Sequence, residues 1–175
     1  MASYVVKRAI LADALAVNTL LSEWLGWTPK SGRLSSIRRA IGNGEVLVAR
    51  SSSKVIGFIH YVIHEDIIDG APNAFISAFF VTQNWRGRRV GSLLLDKAIS
   101  DCLSRGIVGV ETSTIHAHAR RLYERHHFKQ AVGDIGEVFL ELDVDEYLRA
   151  GAESWRTRRE GLRSRQVDSS AGQKP

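Results

Sequence analysis

The sequence has little cysteine and no long run of apolar residues. Cys102 is the only cysteine among 175 residues, which excludes an internal disulfide and a metal site built from several cysteines. No stretch reaches the roughly 20 apolar residues that a membrane-spanning helix needs. The N-terminal "MASYVVKRA" also lacks the apolar core and cleavage site of a signal peptide. These absences favour a soluble, cytoplasmic protein with no membrane or metal partner.

The net charge of +5 is a poor indication of nucleic-acid binding. Residues 143–175 contain seven Lys/Arg and six Asp/Glu, so most of the excess lies in residues 1–142, with a cluster in "RGRRVGS" at residues 86–92. A long polyanion favours a basic stripe, whereas one tight cluster favours a small anionic ligand. Nucleic-acid binding through the arginine-rich C-terminal region remains an alternative that leaves this cluster unexplained.

The apolar periodicity predicts elements in the order β–α–α–β–β–β–α–β–α–β–β. The nearly continuous apolar run "AFISAFFV" predicts a strand buried on both faces. "EVLVAR" and "VIGFIHYVIH", joined by "SSSK", predict a hairpin. Asp13 stands where its side chain can cap the first helix. The sequence therefore predicts an α/β fold, with a central mixed β-sheet flanked by helices.

The composition changes after residue 142. Leu148, Trp155 and Leu162 recur every seven positions, which predicts an amphipathic helix, and the final "QVDSSAGQKP" predicts a disordered tail. The apolar face of such a helix requires a partner surface, either on its own domain or on a second subunit in a homodimer. We therefore expect a domain over residues 1–142, followed by a helix and tail over 143–175.

The stretch "RGRRVGS" joins a predicted strand to a predicted helix and suits phosphate binding. A helix N-terminus presents unpaired N–H groups, and glycines let a ligand approach the backbone. Arginines add forked donors that match phosphate oxygens. A nucleotide P-loop is excluded because no lysine stands between Gly91 and Ser92, and the GxGxxG dinucleotide fingerprint is absent. The alternative is an ordinary strand-to-helix turn that happens to be basic.

Two stretches together resemble the Gcn5-related N-acetyltransferase (GNAT) superfamily. "VTQNWRGRRVGSLLLDKAI" resembles its phosphate signature, Arg/Gln-x-x-Gly-x-Gly/Ala, at Arg86, Arg89 and Gly91, with Arg89 in place of the first glycine. "VETSTIHAHARRLYERHHF" resembles its second signature, an Asn-x-x-Ala-x-x-x-Tyr helix followed by Gly-Phe. Ala119, Tyr123 and Phe128 match this signature, while His116 and His127 replace the asparagine and the glycine.

The resemblance spans about Tyr4 to Leu142 and implies a GNAT-like sheet with two splayed parallel strands, here "AFFV" and "IVGVET". Acetyl-coenzyme A lies in that gap in the family. His116 would take the place of an asparagine that touches the cofactor, although a solvated histidine is an equal alternative. The resemblance implies further cofactor-binding residues on the strand and in the turn. On the strand, Phe79, Phe80 and Val81 would bind the pantetheine arm, with the Val81 N–H at the thioester oxygen. In the turn, the pyrophosphate would be bound by Arg86, Gly87, Arg88, Arg89, Val90, Gly91 and Ser92.

The resemblance also implies an acetyl-coenzyme A-dependent N-acetyltransferase, in which an amine attacks the thioester directly. Tyr123 would be the general acid that protonates the departing thiolate, and its alternative role is that of a core residue. No general base is assigned, because "FISAFFV" offers Ser77 but no carboxylate. The candidate bases are Glu65, Asp66, Asp69 and Glu111.

A catalytically degenerate sensor that binds acyl-coenzyme A is the alternative function. The missing strand carboxylate and the replaced glycine favour it, while the acidic "HEDIID" favours a basic amine acceptor, either a small molecule or a protein amine. No metal site is expected, because His60 and His64 lie about 13 Å apart on a predicted strand.

Overall fold

The computed structural model describes residues 3–28, 30–65, 70–107, 109–130 and 138–153. By its internal contacts the chain divides into two units, Met1–Leu142 and Asp143–Pro175. In the second unit, residues 144–153 are helical, and the predicted continuation of this helix and the tail lie outside the described residues. The elements of the first unit are β1 (Val5–Arg8), α1 (Ala14–Leu25), α2 (Arg33–Gly42), β2 (Val46–Ser51), β3 (Lys54–Glu65), β4 (Pro72–Val81), α3 (Val90–Ser104), β5 (Gly109–Thr114), α4 (Ala117–Glu124), β6 (Phe128–Gln130) and β7 (Val138–Leu142).

A seven-stranded mixed sheet forms the centre of the first unit, in the order β1-β2-β3-β4-β5-β7-β6. Among the described strands, β4 and β5 pair in parallel and the other neighbouring pairs are antiparallel. The element order and the mixed sheet that the sequence predicts are therefore confirmed. None of the described helices is long and apolar enough to cross a membrane.

Apolar helix faces cover both sides of the sheet. On one side, α1 and α2 pack Val17, Leu20 and Ile37 against Phe58 and other strand residues. On the other side, α3 buries an apolar stripe, which includes the only cysteine. The buried members of that stripe are Leu94, Leu95, Ala98, Ile99 and Cys102.

Asp13 lies at the N-cap position of α1, but its carboxylate makes no hydrogen bond to the first turn of that helix. Instead it accepts a hydrogen bond from the Ile10 N–H at 3.0 Å and pairs with Arg50 of β2. The short 3-10 turn over Leu11–Asp13 directs this side chain back toward the sheet, where it is almost completely buried. A buried carboxylate needs a charged partner, and Arg50 provides it. The prediction that the Asp13 side chain caps α1 is therefore wrong, because the carboxylate is held toward the sheet.

The parallel strands β4 and β5 splay apart, as the family resemblance implies. They pair from Asn73 to Ile76 on β4 and from Gly109 to Thr112 on β5. Beyond that point β4 stays paired with β3 as far as Val81. Five residues at the end of β4 therefore leave β5, and a gap opens between the two strands.

Candidate active site

A cavity of about 740 Å³ lies where β4 and β5 separate. This volume falls within the range of about 300–1,000 Å³ that is usual for small-molecule sites. Trp24 of α1, in the helix that shapes the acceptor pocket in the family that the sequence resembles, also contributes to the wall, as does Thr112 of β5, which sequence reasoning missed. The cavity brings together the following residues proposed from the sequence: Phe79, Phe80, Val81, Arg86, Gly87, Arg89, Val90, Gly91, Ser92, His116 and Tyr123.

The end of β4 presents backbone hydrogen-bonding groups to this gap. The Thr82 N–H donates to the Ile56 carbonyl of β3 at 3.0 Å. Hydrogen-bonded and non-bonded pairs alternate along an antiparallel ladder, so the peptide groups of Phe79 and Val81 face away from β3. A hydrogen bond from Arg86 agrees with this orientation, since its Nε donates to the Val81 carbonyl oxygen at 2.9 Å. The gap-facing edge of β4 can therefore pair with an extended, amide-containing ligand.

The first turn of α3 forms a second wall of the cavity. The hydrogen-bond ladder of this helix begins with the Leu93 N–H, which donates to the Arg89 carbonyl at 3.0 Å. The N–H groups of Val90, Gly91 and Ser92 precede that ladder, at the positive end of the helix dipole. This arrangement suits an anion such as a pyrophosphate.

Two residues that depart from the family signatures have left-handed backbones. Arg89 has φ of 63° and His127 has φ of 66°, and both stand where the family signature has glycine. Gly87, in the same turn as Arg89, has φ of 72°. A left-handed backbone costs a non-glycine residue about 1–2 kcal/mol. The chain therefore has a strained, left-handed backbone at two positions where the signature has glycine.

Replacing Arg89 with glycine should raise the free energy of unfolding by about 1 kcal/mol, because it removes this strain. Chemical denaturation of the purified variant measures the effect. Arg89→Ala is the matched control, because it removes the same charge from the helix N-terminus but keeps a Cβ in the left-handed region. Equal stability of the two variants would contradict a strained backbone at this position.

Two of the three arginines of the turn lie against neighbouring aromatic rings. The Arg86 guanidinium is 5.4 Å from the centre of the Phe80 ring, and that of Arg88 is 5.4 Å from the centre of the Trp85 ring. The Arg88 carbonyl accepts a hydrogen bond from the Tyr4 hydroxyl at 2.8 Å. Arg88 is not among the residues that line the cavity, so its contact with a cofactor stays a prediction.

Tyr123 of α4 lines the cavity from a tightly packed position, with only 4% of its surface exposed. Its ring contacts Phe79 and Phe128, with centroid distances of 6.2 and 5.3 Å. Burial raises the pKa of the phenol above its ordinary value of 10, and a hydrogen bond with the Thr112 hydroxyl opposes that rise. Tyr123 is therefore protonated at neutral pH and can donate a proton to a group in the cavity.

His116 is exposed at the N-cap of α4 and also lines the cavity. Its backbone N–H donates to the Thr114 hydroxyl at 3.1 Å, and its ring stacks on His118 at a centroid distance of 5.5 Å. This position is compatible with both roles expected from the sequence, a cofactor contact and a solvated histidine.

The carboxylates proposed as bases do not line the cavity where the structure describes them. Glu65 is exposed at the end of β3, and Glu111 lies on β5 opposite Glu141. Asp66 and Asp69 lie outside the described residues. No group of three His, Cys, Asp or Glu side chains within the described ranges could hold a metal ion.

A different polar pair reaches the cavity. The Ser77 hydroxyl, which lines it, is 2.7 Å from Nδ1 of His60 on β3. His60 in turn lines a smaller cavity of about 210 Å³ beneath α1 and α2. Sequence reasoning considered both residues but did not pair them.

Sequence comparison identifies the family. The model described as "Acetyltransferase (GNAT) family" matches residues 16–128, which is more than half of the chain. Among curated protein sequences, none matches this chain significantly.

Solved structures share the fold at low sequence identity. A GCN5-related N-acetyltransferase from Kribbella flavida aligns with a TM-score of 0.63 and 16% sequence identity. The alignment covers 73% of this chain but only 33% of that protein. Arabidopsis thaliana Naa50, in complex with the bisubstrate analogue CoA-Ac-MVNAL, aligns with a TM-score of 0.64 and 15% sequence identity. This alignment covers 79% of this chain and 97% of Naa50. The PaiA N-acetyltransferase of Thermoplasma acidophilum, in complex with coenzyme A, aligns with a TM-score of 0.61 and 16% sequence identity. This alignment covers 80% of this chain and 98% of PaiA. On the strength of the family match, this chain belongs to the acetyltransferase (GNAT) family.

Proposed function

We propose that this protein is an N-acetyltransferase that transfers the acetyl group of acetyl-coenzyme A to a primary amine by direct attack on the thioester. The observation that carries the proposal is the meeting of three groups in one cavity of about 740 Å³. These are the first turn of α3, the gap-facing edge of β4 and the Tyr123 phenol. Each group suits a different part of an acyl-coenzyme A thioester.

Different parts of the cavity wall would hold the pyrophosphate, the pantetheine arm and the thioester of the cosubstrate. The N–H groups of Val90, Gly91 and Ser92 would hold the pyrophosphate at the positive end of α3. The Phe79 peptide group and the Val81 carbonyl would pair with the amides of the pantetheine arm. The Val81 N–H would then donate to the thioester oxygen and stabilise the negative charge that forms there during attack.

Tyr123 would protonate the thiolate as it leaves. Burial raises the pKa of this phenol, so the proton is present at neutral pH. The fold relatives support the choice of cosubstrate, because the PaiA structure contains coenzyme A and the Naa50 structure contains a coenzyme A-peptide analogue. The acceptor of this chain is proposed only as a primary amine.

The proposal is tested by measuring coenzyme A release from acetyl-coenzyme A against a panel of amines. The panel comprises polyamines, aminoglycosides, amino acids, and peptides that carry lysine or a free N-terminus. Mass spectrometry identifies each acetylated product, and a gain of one acetyl group on an amine is the expected result. Absence of any product, with acetyl-coenzyme A bound, would contradict the proposal.

A non-catalytic acyl-coenzyme A sensor is the second candidate. The observation that favours it is that none of the described residues lining the cavity is a carboxylate. A sensor would bind acetyl-coenzyme A without releasing coenzyme A in the presence of any amine. The same panel therefore separates the two functions.

A further inference from the structure

The reaction proposed above needs a proton acceptor. An alkylammonium must lose a proton before its nitrogen can attack a thioester, and the described lining of the cavity offers no carboxylate for this purpose. Ser77 is the polar side chain that β4 contributes to that lining, and its hydroxyl lies 2.7 Å from Nδ1 of His60. This distance is that of a good hydrogen bond to a hydroxyl group.

A β-bulge brings these two side chains together. The register between β3 and β4 passes from His60 opposite Ala78 to Tyr61 opposite Ile76, so Ser77 is an extra residue on β4. A bulge redirects the side chain of the extra residue relative to the regular alternation. Here it leaves the Ser77 hydroxyl in contact with both the cavity and the His60 ring.

The surroundings of His60 favour a neutral imidazole. Burial lowers the pKa of its ring, and the negative charge of Glu45 partly opposes this effect. From α2, the positively charged Arg33 side chain lines the same small cavity. The lining residues that α1, β2 and β4 contribute around His60 are apolar: Val17, Leu21, Val46 and Ala78.

We propose that Ser77 and His60 form a relay that takes the proton from the amine acceptor, Ser77 touching the amine and His60 acting through Ser77. This inference rests on the proposed function and supplies the base that the sequence does not identify. It requires the His60 tautomer with its proton on Nε2, because Nδ1 must accept the hydrogen bond from the Ser77 hydroxyl.

Two protons leave the acceptor nitrogen during the reaction, one through Ser77 and His60 and the other through Tyr123. The acceptor ammonium passes one N–H proton to Ser77 Oγ while Ser77 passes its own hydroxyl proton to His60 Nδ1. The freed lone pair of the nitrogen forms the C–N bond at the thioester carbonyl carbon, and the C–S bond breaks with its electron pair on sulfur. The thiolate takes the Tyr123 proton, and the tyrosinate takes the second proton from the nitrogen. The His60 imidazolium then releases its proton to water.

The relay predicts a characteristic pH dependence. In the wild type, a neutral His60 accepts the proton. The value of kcat/KM should therefore decrease only as the pH falls through the lowered pKa of His60, on the acid side of 6.5. Without the relay, the rate depends on the free amine, which for an acceptor of lysine type has a pKa of about 10.4. A variant that lacks the relay should therefore gain activity steadily up to about pH 10.

The test compares Ser77→Ala and His60→Asn with the wild type, using an amine that the panel identifies as an acceptor. Each variant should lose about a hundredfold in kcat/KM at pH 7 and approach the wild type near pH 10. His64→Asn is the matched control, because His64 is an exposed histidine on the same strand, and its profile should follow that of the wild type. An equal loss at every pH would mean that the pair only holds the bulge in place, and would overturn the relay.

A second measurement does not depend on turnover. The ¹⁵N spectrum of the His60 imidazole, assigned by its absence in His60→Asn, should show an unprotonated Nδ1 at neutral pH that shifts in Ser77→Ala. A protonated Nδ1 that donates to Ser77 would overturn the relay. Failure of the proposed function is seen separately, as a wild type that acetylates no amine, whereas an active wild type with unaffected variants contradicts the relay alone.

Discussion

Tyr123→Phe should lower kcat by about a hundredfold while acetyl-coenzyme A binds with unchanged affinity. The thiolate then leaves without a proton donor, which raises the barrier to breaking the C–S bond. The phenylalanine ring keeps the contacts with Phe79 and Phe128, so the cavity wall stays in place. Steady-state kinetics and calorimetric titration of acetyl-coenzyme A separate these two effects.

The pH dependence of the wild type gives an independent check on Tyr123. The phenol must be protonated to act as an acid, and burial raises its pKa above 10. Activity that depends on Tyr123 should therefore persist up to pH 10 and decline only above it.

Tyr61→Phe is the control for loss of a buried phenol. Tyr61 donates to the Gly44 carbonyl at 3.1 Å and bonds Asp101, and it does not line the cavity. This variant should be less stable, yet its folded fraction should keep the wild-type kcat. If Tyr123→Phe also keeps the wild-type kcat, Tyr123 is a core residue and another group protonates the thiolate.

Gly91→Asp should lower the affinity for coenzyme A by at least a hundredfold without unfolding the protein. Its carboxylate would lie at the first turn of α3, where the pyrophosphate is proposed to bind, and juxtaposed like charges cost several kcal/mol. The same carboxylate interacts favourably with the positive end of the helix dipole, so the melting temperature should be unchanged or higher. Calorimetric titration and thermal denaturation measure the two effects.

Gly91→Ala is the matched control. A Cβ at this position would lie 3.5 Å from Leu122 Cδ2 and 3.6 Å from Phe79 Cζ, which are ordinary van der Waals distances. The alanine therefore fits, and it should change the affinity only a few-fold. S-Acetylpantetheine, which lacks the pyrophosphate, should bind Gly91→Asp and the wild type equally. An equal loss of affinity for both ligands would contradict a phosphate site at this turn.

Much of the fold could be predicted from the sequence because the information is local. The period at which apolar residues recur indicates each helix and strand, and the glycines and arginines of "RGRRVGS" indicate the turn between β4 and α3 at which we propose that phosphate binds. The pairing of Ser77 with His60 could not be predicted in this way. It depends on a one-residue bulge between β3 and β4, and the residues that such a bulge brings together are far apart in the chain.

Asp13 illustrates a related limit. Its residue type and position predict a helix cap, but its carboxylate pairs with Arg50 on a strand that lies much later in the sequence. Arg89 illustrates a second limit of prediction from sequence. Its backbone is left-handed, which is a conformation that non-glycine residues rarely adopt. Only the surrounding fold can impose that conformation, so local pattern alone does not predict it.

Binding of coenzyme A in the gap between β4 and β5 is tested most directly by a crystal structure of the protein grown with coenzyme A. We expect the pyrophosphate within hydrogen-bonding distance of the N–H groups of Val90, Gly91 and Ser92. We also expect the pantetheine amides to pair with the Phe79 peptide group and the Val81 carbonyl. Coenzyme A bound elsewhere on the molecule, or an empty gap at a saturating concentration of coenzyme A, would contradict a coenzyme A site between these strands.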